Sequence, residues 1–199
     1  QTSRQLMVED TLALLDCLGI DRVNIIGHSM GAMLGWTIAT EAPDRVSKLI
    51  TASALPTVQP ARIALFESLS ALRTETNEAD WFELLYQFLF SPEFFNKRLV
   101  VKAAVAASIN YEHKQGKEAF AQQVAGLNSF TSNLDGSRAS CPITMITGSN
   151  DVLLPPRMLL RFADKNPQVT PRVIANAAHA IHWEQPTEFL SVVLKDLAS

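Results

Sequence analysis

Polar and apolar positions at the start of the chain recur at the spacing of a helix. Apolar residues at 8, 12, 15 and 18 fall on one face, which predicts a helix over 2–18, and Gly19 follows where a helix end favours glycine. The next segments predict a short strand at 22–26, a helix at 30–40 that Pro43 stops, and a second buried strand at 46–52. The first quarter of the chain therefore has the strand–helix–strand order of an α/β protein.

The middle of the chain changes character and the last third returns to the first pattern. Only helical spacing is found from about 62 to 130, whereas strands are predicted at 142–147 and 169–174 and helices at 156–165 and 186–197. Strands joined by helical crossovers predict an α/β fold with a doubly wound, mostly parallel sheet. We predict three parts: core residues 1–55, a helical cap inserted at 56–140, and core residues 141–199.

Composition narrows the class of partner. With 17 Lys and Arg against 20 Asp and Glu, the net charge is −3, which gives no electrostatic reason to expect nucleic acid. No apolar run approaches the roughly 20 residues that cross a bilayer, and no signal segment is recognisable, so we expect a cytoplasmic protein without a membrane partner.

Cys17 and Cys141 are expected to be reduced thiols. The four histidines have no metal-ligand spacing, and neither a metal nor another cofactor is predicted.

The segment Gly27-His28-Ser29-Met30-Gly31 has the G-x-S-x-G pattern of a nucleophile elbow. It lies where the strand at 22–26 must turn sharply into the helix at 30–40, a turn in which glycines before and after the serine prevent a clash. We expect Ser29 to project at the carboxyl end of the sheet, with the Met30 N–H facing the place where an oxyanion would form. The alternative is a tight glycine turn with an incidental serine.

A serine nucleophile requires a base and an acid, which should follow it on loops after later strands. Asp151 follows the strand at 142–147, and His179 follows the strand at 169–174, so the order serine, acid, histidine is satisfied. We predict a catalytic triad of Ser29, Asp151 and His179. Taken singly, Asp151 could equally cap the next helix, and His179 could be a solvated loop histidine.

Rival residues exist for both partners. His182 is the rival base, but it leads into the last helix, while His28 flanks the serine and His113 lies in the helical block. The rival acids are Asp135, in a polar turn before its strand, and Asp164, within a helix. A small, largely apolar substrate is expected under the cap, contacted by His28, Trp81, Tyr86 and His182. The rival interpretation of the aromatic residues is packing between helices of the cap.

Four segments together resemble the α/β-hydrolase superfamily, in its branch of capped serine esterases and carbon–carbon-bond hydrolases. They are Gly-His-Ser-Met-Gly at 27–31, Ala-Pro-Asp-Arg-Val at 42–46, Gly-Ser-Asn-Asp at 148–151, and Ala-His-Ala-Ile-His-Trp-Glu-Gln-Pro at 178–186. The resemblance implies the triad roles above and a cap after the sixth strand. Mild departures are Ala178 and Ala32, where the family usually has glycine.

The resemblance also implies that this chain starts at the helix before the family's fifth strand. The first four strands, and the loop that supplies a second oxyanion-hole N–H, are then absent. A sheet without those strands exposes an apolar edge, and we expect a homodimer, pairing with a partner strand, or poor folding.

The sequence therefore predicts a serine hydrolase that cleaves an ester-like or vinylogous carbon–carbon bond through an acyl-enzyme. Two other classes stay open. One is a cofactor-free perhydrolase or haloperoxidase with the same triad, and the other is a ligand-binding member of the superfamily without turnover.

Overall fold

The computed structural model of the chain describes residues 3–130 and 139–198. Its sheet has four strands in sequential order: Val23–His28 (β1), Val46–Ala52 (β2), Ile143–Gly148 (β3) and Val169–Ile174 (β4). All three pairings are parallel, as the sequence predicted. The register aligns His28 with Ala52, and Gly148 with Ile174, so the carboxyl ends of the strands lie along one edge.

Helices connect and cover the strands. They are Arg4–Cys17 (α1), Met30–Glu41 (α2), Pro60–Glu75 (α3), Glu78–Leu89 (α4), Pro92–Phe95 (α5), Arg98–Asn110 (α6), Lys117–Leu127 (α7), Pro156–Asp164 (α8), Ile181–Glu184 (α9) and Pro186–Ala198 (α10). The four helices whose bounds were predicted, α1, α2, α8 and α10, lie within two residues of those bounds. The turn α9 was not predicted, because four residues are too few to show a helical period. No helix in the part of the chain described is both long and apolar enough to cross a membrane.

Two apolar layers cover the sheet, one on each face. On one face, Trp36 of α2 and Leu159 of α8 pack with Leu49 and Met145 of the central strands. On the other face, α9 and α10 supply Ile181 and Val193, which pack with alternate strand residues. Side chains of a strand point to opposite faces in turn, so a central strand covered on both sides must be apolar throughout. All six residues of β3 are buried accordingly.

Five helices, α3 to α7, lie between β2 and β3. We call residues 60–130 the helical insertion, which ends in the turn Asn128–Phe130. Its helices begin at recognisable signals: Pro60 and Pro92 at first-turn positions, and Asn77, whose side chain accepts a hydrogen bond from the Asp80 N–H. Inside the insertion, the Arg73 guanidinium of α3 lies over the Trp81 ring of α4, 4.3 Å from the ring centroid, as a cation–π contact.

The turn between β1 and α2 places Ser29 in the left-handed region, with φ 52° and ψ −121°. Gly27 is required there, because a Cβ on it would come within 2.4 Å of the Gly31 carbonyl oxygen. A Cβ on Gly31 would meet nothing within 4 Å. The expectation that both glycines relieve a clash is therefore wrong for Gly31, whose backbone, rather than its missing side chain, approaches Gly27.

Alanine substitutions at the two glycines should have opposite effects. Gly27→Ala is expected to destabilise the protein by about 3 kcal/mol or more, because main-chain atoms cannot move aside. Gly31→Ala should be neutral or stabilise by up to about 1 kcal/mol, because alanine is the better helix former. Urea unfolding of both variants measures the two changes in the free energy of unfolding. Equal destabilisation by the two substitutions would contradict the assigned packing.

Candidate active site

Three loops at the carboxyl edge of the sheet bring the predicted triad together. His179 Nε2 lies 3.0 Å from the Ser29 Oγ, and His179 Nδ1 lies 3.1 Å from Asp151 Oδ2. Asp151 and His179 are 2% and 3% exposed, so this pair is shielded from water. With Asp151 accepting the Nδ1–H, Nε2 is left to accept the serine hydroxyl proton.

Asp151 is held by its own loop as well as by the imidazole. Its Oδ1 accepts hydrogen bonds of 2.8 Å from the N–H groups of Leu153 and Leu154. Burial alone would raise the pKa of Asp151, but the hydrogen bond from His179, the charge of that imidazole and the two amides together lower it below its ordinary value. Asp151 thus accepts from the amides of its own turn and is the partner of the histidine. It does not cap α8, the alternative that the sequence left open, because the cap position of that helix is Pro155 and no side chain caps it.

The main chain of His179 is fixed by two further side chains. Its carbonyl oxygen accepts a hydrogen bond from His28 Nε2 at 2.8 Å and from Ser53 Oγ at 2.9 Å. Ser53 directly follows β2 and has φ 61°, so it too lies in the left-handed region. Such backbone conformations cost about 1–3 kcal/mol each and are found preferentially at functional sites.

His28 is a neutral hydrogen-bond donor. Burial, followed by the neighbouring His179, lowers the pKa of His28 from 6.5 to about 4. Its ring packs edge-to-face against His179 and His182, with centroids 5.1 and 4.8 Å away. Because the His179 carbonyl only accepts, the proton of neutral His28 lies on Nε2.

The loop that carries His179 is also bonded to the helical insertion. The Ala178 N–H donates to Glu184 Oε2 at 2.7 Å, while Glu184 Oε1 accepts from the Ser91 N–H at 2.9 Å and from the Ser91 Oγ. On the other side, the Ala180 N–H donates to the Leu89 carbonyl at 2.8 Å. Both neighbours of His179 are therefore linked to the segment that joins α4 to α5.

A cavity of about 250 Å³ opens beside Ser29 and His179, between the sheet edge and the insertion. His28 and Met30 line it on the core side. Its remaining wall is mostly apolar. Helices α2, α4 and α7 contribute Met33, Leu85, Leu89, Phe120, Val124 and Leu127, and α3, α8 and the loops after β2 and β3 contribute further residues. The arrangement places a nucleophile with a bonded base beside space for a small, apolar ligand.

Trp81 and Tyr86, predicted to contact substrate, do not line the cavity. Trp81 packs against Phe120 and donates its indole N–H to the Leu69 carbonyl, whereas Tyr86 packs among the rings of α4 and α5 and bonds Ser108. The prediction that these rings line the cavity is wrong, since α4 is apolar on more than one face and turns Leu85 and Leu89 to the cavity.

The rival residues lie apart from the triad. His182 packs against His28 and Phe189, and burial is the main cause that lowers its pKa. It does not line the cavity, so the prediction that it contacts substrate there is wrong. Asp164 is exposed at the end of α8, and Asp135 falls outside the described residues. Over residues 3–130 and 139–198, no cluster of three or more histidines, cysteines or carboxylates is arranged to hold a metal ion.

Sequence comparison places the chain in a known family. The family described as alpha/beta hydrolase fold matches residues 4–186. The chain belongs to this family. A relative from Enterobacter cloacae, named "Putative carbamate hydrolase RutD", is 23% identical over 193 residues, which are 97% of this chain and 72% of the relative.

Solved structures of α/β hydrolases superpose on nearly the whole chain. An alpha/beta hydrolase enzyme, MGS-M2, from a Medee basin deep-sea metagenome library has a TM-score of 0.81 and 20% identity, covering 100% of this chain and 73% of its own. A thermophilic esterase from Thermogutta terrifontis has a TM-score of 0.78 and 20% identity, covering 99% and 72%. At this identity the likeness establishes the fold.

The stability of this α/β hydrolase should depend on pH through His28. Its folded pKa is lowered, so between pH 6.5 and about 4 the unfolded state binds a proton that the folded state does not. Stability is therefore lost as the pH falls through that window, by up to about 3 kcal/mol. Urea unfolding at pH 7.5 and 4.5 should show a smaller loss in His28→Asn than in the natural protein. A loss of the same size in His28→Asn would contradict the assignment, and His113→Asn, at an exposed position, is the control.

Replacing Glu184 should loosen the loop of His179. In Glu184→Gln an amide NH₂ must face one of the three donors, so we expect a loss of about 2 kcal/mol. Ser91→Ala removes one of those bonds and should cost about 1 kcal/mol. Glu188→Gln, at an exposed position on α10, is the matched control. Urea unfolding measures the free energy of unfolding of each variant. Equal values for Glu184→Gln and Glu188→Gln would show that the bonds of Glu184 do not stabilise the loop.

Proposed function

We propose that this protein is a serine hydrolase that cleaves an ester-like bond of a small, largely apolar substrate through an acyl-enzyme. The observation that carries the proposal is the hydrogen-bonded series Ser29–His179–Asp151 on the wall of an apolar cavity. Its family supports hydrolysis as the reaction class. The proposed catalytic residues are Ser29 as nucleophile, His179 as base and Asp151 as the orienting acid.

Acylation begins when His179 Nε2 takes the proton of Ser29 as its Oγ attacks the substrate carbonyl carbon. The carbonyl π bond breaks, and its electrons move to the oxygen as an oxyanion. Met30 begins α2 and lines the cavity, and its N–H, unpaired within the helix, is the donor we assign to that oxyanion. The oxyanion then re-forms the carbonyl and the alcohol leaves with the proton of His179.

Deacylation repeats these steps with water. His179 removes a proton from water as the hydroxide attacks the acyl carbon, and the proton returns to Ser29 Oγ when the acid leaves. Asp151 stabilises the imidazolium that exists at both stages without taking its proton, consistent with its lowered pKa. No cofactor is needed for this sequence of steps.

Ester-like substrates are favoured by the cavity and by the relatives. A wall of leucine, methionine and phenylalanine suits short acyl and alkyl groups. Two similar proteins are named as a carbamate hydrolase and an esterase, and carbamates and esters both contain a carbonyl bonded to a heteroatom. We place vinylogous carbon–carbon bonds second, since no observed feature favours them. The helical insertion acts in this proposal as the cap that covers the substrate.

Hydrolysis of 4-nitrophenyl butanoate tests the proposal. We expect Ser29→Ala to lose turnover to background and Asp151→Asn to lower kcat by about 10³–10⁴, because the imidazole then adopts the wrong tautomer. Asp164→Asn, at an exposed aspartate of α8, is the matched control and should keep full activity. The proposal fails if the Ser29→Ala protein retains turnover, or if the natural protein, shown to be folded, hydrolyses no short-chain ester.

A further inference from the structure

The cavity wall contains one permanent charge, which the apolar lining does not explain. Among the described residues that line the cavity, Arg62 of α3 is the only arginine or lysine, and none is an aspartate or glutamate. Arg62 makes no ion pair within the described part of the chain. Arg62 is half-buried, and a cation beside an apolar wall with no carboxylate partner is available to the negative charge of a ligand.

The guanidinium is held in place by neutral acceptors. Arg62 Nε donates to the Leu153 carbonyl at 3.1 Å and Nη2 donates to the Val152 carbonyl at 2.7 Å. A guanidinium has five N–H groups, so three remain, two on Nη1 and one on Nη2. They have no partner among the described residues. The edge formed by Nη1 and Nη2 presents the parallel pair of donors that a carboxylate accepts.

A second polar group lies on the cavity wall at the start of α3. Gln59 directly precedes α3, three positions before Arg62, and both residues line the cavity. Gln59 lies at the N-terminal cap position but makes no side-chain capping bond. Its amide is thus an additional group for a polar end of the ligand.

The geometry points to an anion subsite at Arg62, and hence to substrates that carry a single carboxylate at a distance from the scissile ester. This inference rests on the proposed function, because it adds the substrate class to the same cavity. One guanidinium balances one negative charge, which favours a carboxylate over a phosphate dianion. The substrate class is therefore a half-ester of a dicarboxylic acid, or an ester whose alcohol carries a carboxylate.

Two pairs of substrates, each differing in one charge, test the subsite. One pair places a carboxylate or a carboxamide on the acyl side, as the 4-nitrophenyl esters of glutaric acid and of 4-carbamoylbutanoic acid. The other pair places the charge on the alcohol side, as the butanoate esters of 4-hydroxybenzoate and 4-hydroxybenzamide. We expect the natural protein to prefer the carboxylate in one pair by about tenfold in kcat/KM, through KM.

Arg62→Gln should reduce that preference to less than twofold, and Arg62→Lys should keep part of it, because lysine retains the charge without the paired donors. Each preference is a ratio of kcat/KM for the carboxylate to kcat/KM for the carboxamide. A general loss of activity, caused by loosening the loop of Asp151 that Arg62 bonds, therefore cancels. Arg157→Gln, at an exposed arginine of α8, should keep the full preference. No preference in either pair, or a preference that survives Arg62→Gln, would overturn the inference.

Binding measurements separate this inference from the proposed function. Calorimetry on the Ser29→Ala protein needs no turnover. It compares monomethyl glutarate with methyl 4-carbamoylbutanoate for the acyl side, and the butanoate ester of 4-hydroxybenzoate with that of 4-hydroxybenzamide for the alcohol side. Tighter binding of the carboxylate, lost on adding Arg62→Gln, supports the subsite even if the natural protein hydrolyses nothing. Equal binding of carboxylate and carboxamide in both pairs overturns the subsite, while the turnover of neutral esters still decides the proposed function.

Discussion

The position of His179 is the constraint on which the rest of the site depends. Its ring bonds Ser29 on one side and Asp151 on the other, so three loops must meet within hydrogen-bond distance. Its carbonyl is held by His28, at the end of β1, and by Ser53, which follows the remaining strand β2. A side chain fixed at both its ring and its backbone has little rotational freedom left to lose in a reaction.

Meeting this constraint strains the edge of the sheet. Ser29 and Ser53 both have positive φ, and Gly27 approaches the Gly31 carbonyl so closely that no side chain fits. The packed core on both faces of the sheet offsets that cost, since it holds the strands in register irrespective of the loops. The insertion adds support from above, through Ser91 and Glu184 to the loop of the histidine.

The fold and the triad could be predicted because their signals are local in the sequence. Alternating strands and helices gave the parallel sheet, and the elbow at 27–31 with the order of Asp151 and His179 located the three residues that meet. Trp81 and Tyr86 could not be placed, because aromatic residues at helical spacing suit a cavity wall and a helix interface equally. Arg62 and Ser53 had no signal, since both bond main-chain carbonyls of residues about 90 or more positions away, and every residue has a carbonyl.

Labelling with a fluorophosphonate, followed by intact-mass measurement and peptide mapping, tests the activation of Ser29 most directly. Attack by an activated Ser29 Oγ on phosphorus expels fluoride and leaves a stable adduct, whereas an ordinary serine hydroxyl does not react. We expect a single adduct on the peptide that contains Ser29, absent from the Ser29→Ala protein and from protein unfolded in urea. A folded protein that forms no adduct, or an adduct that persists in Ser29→Ala, would contradict the assignment of Ser29, His179 and Asp151 as a working triad.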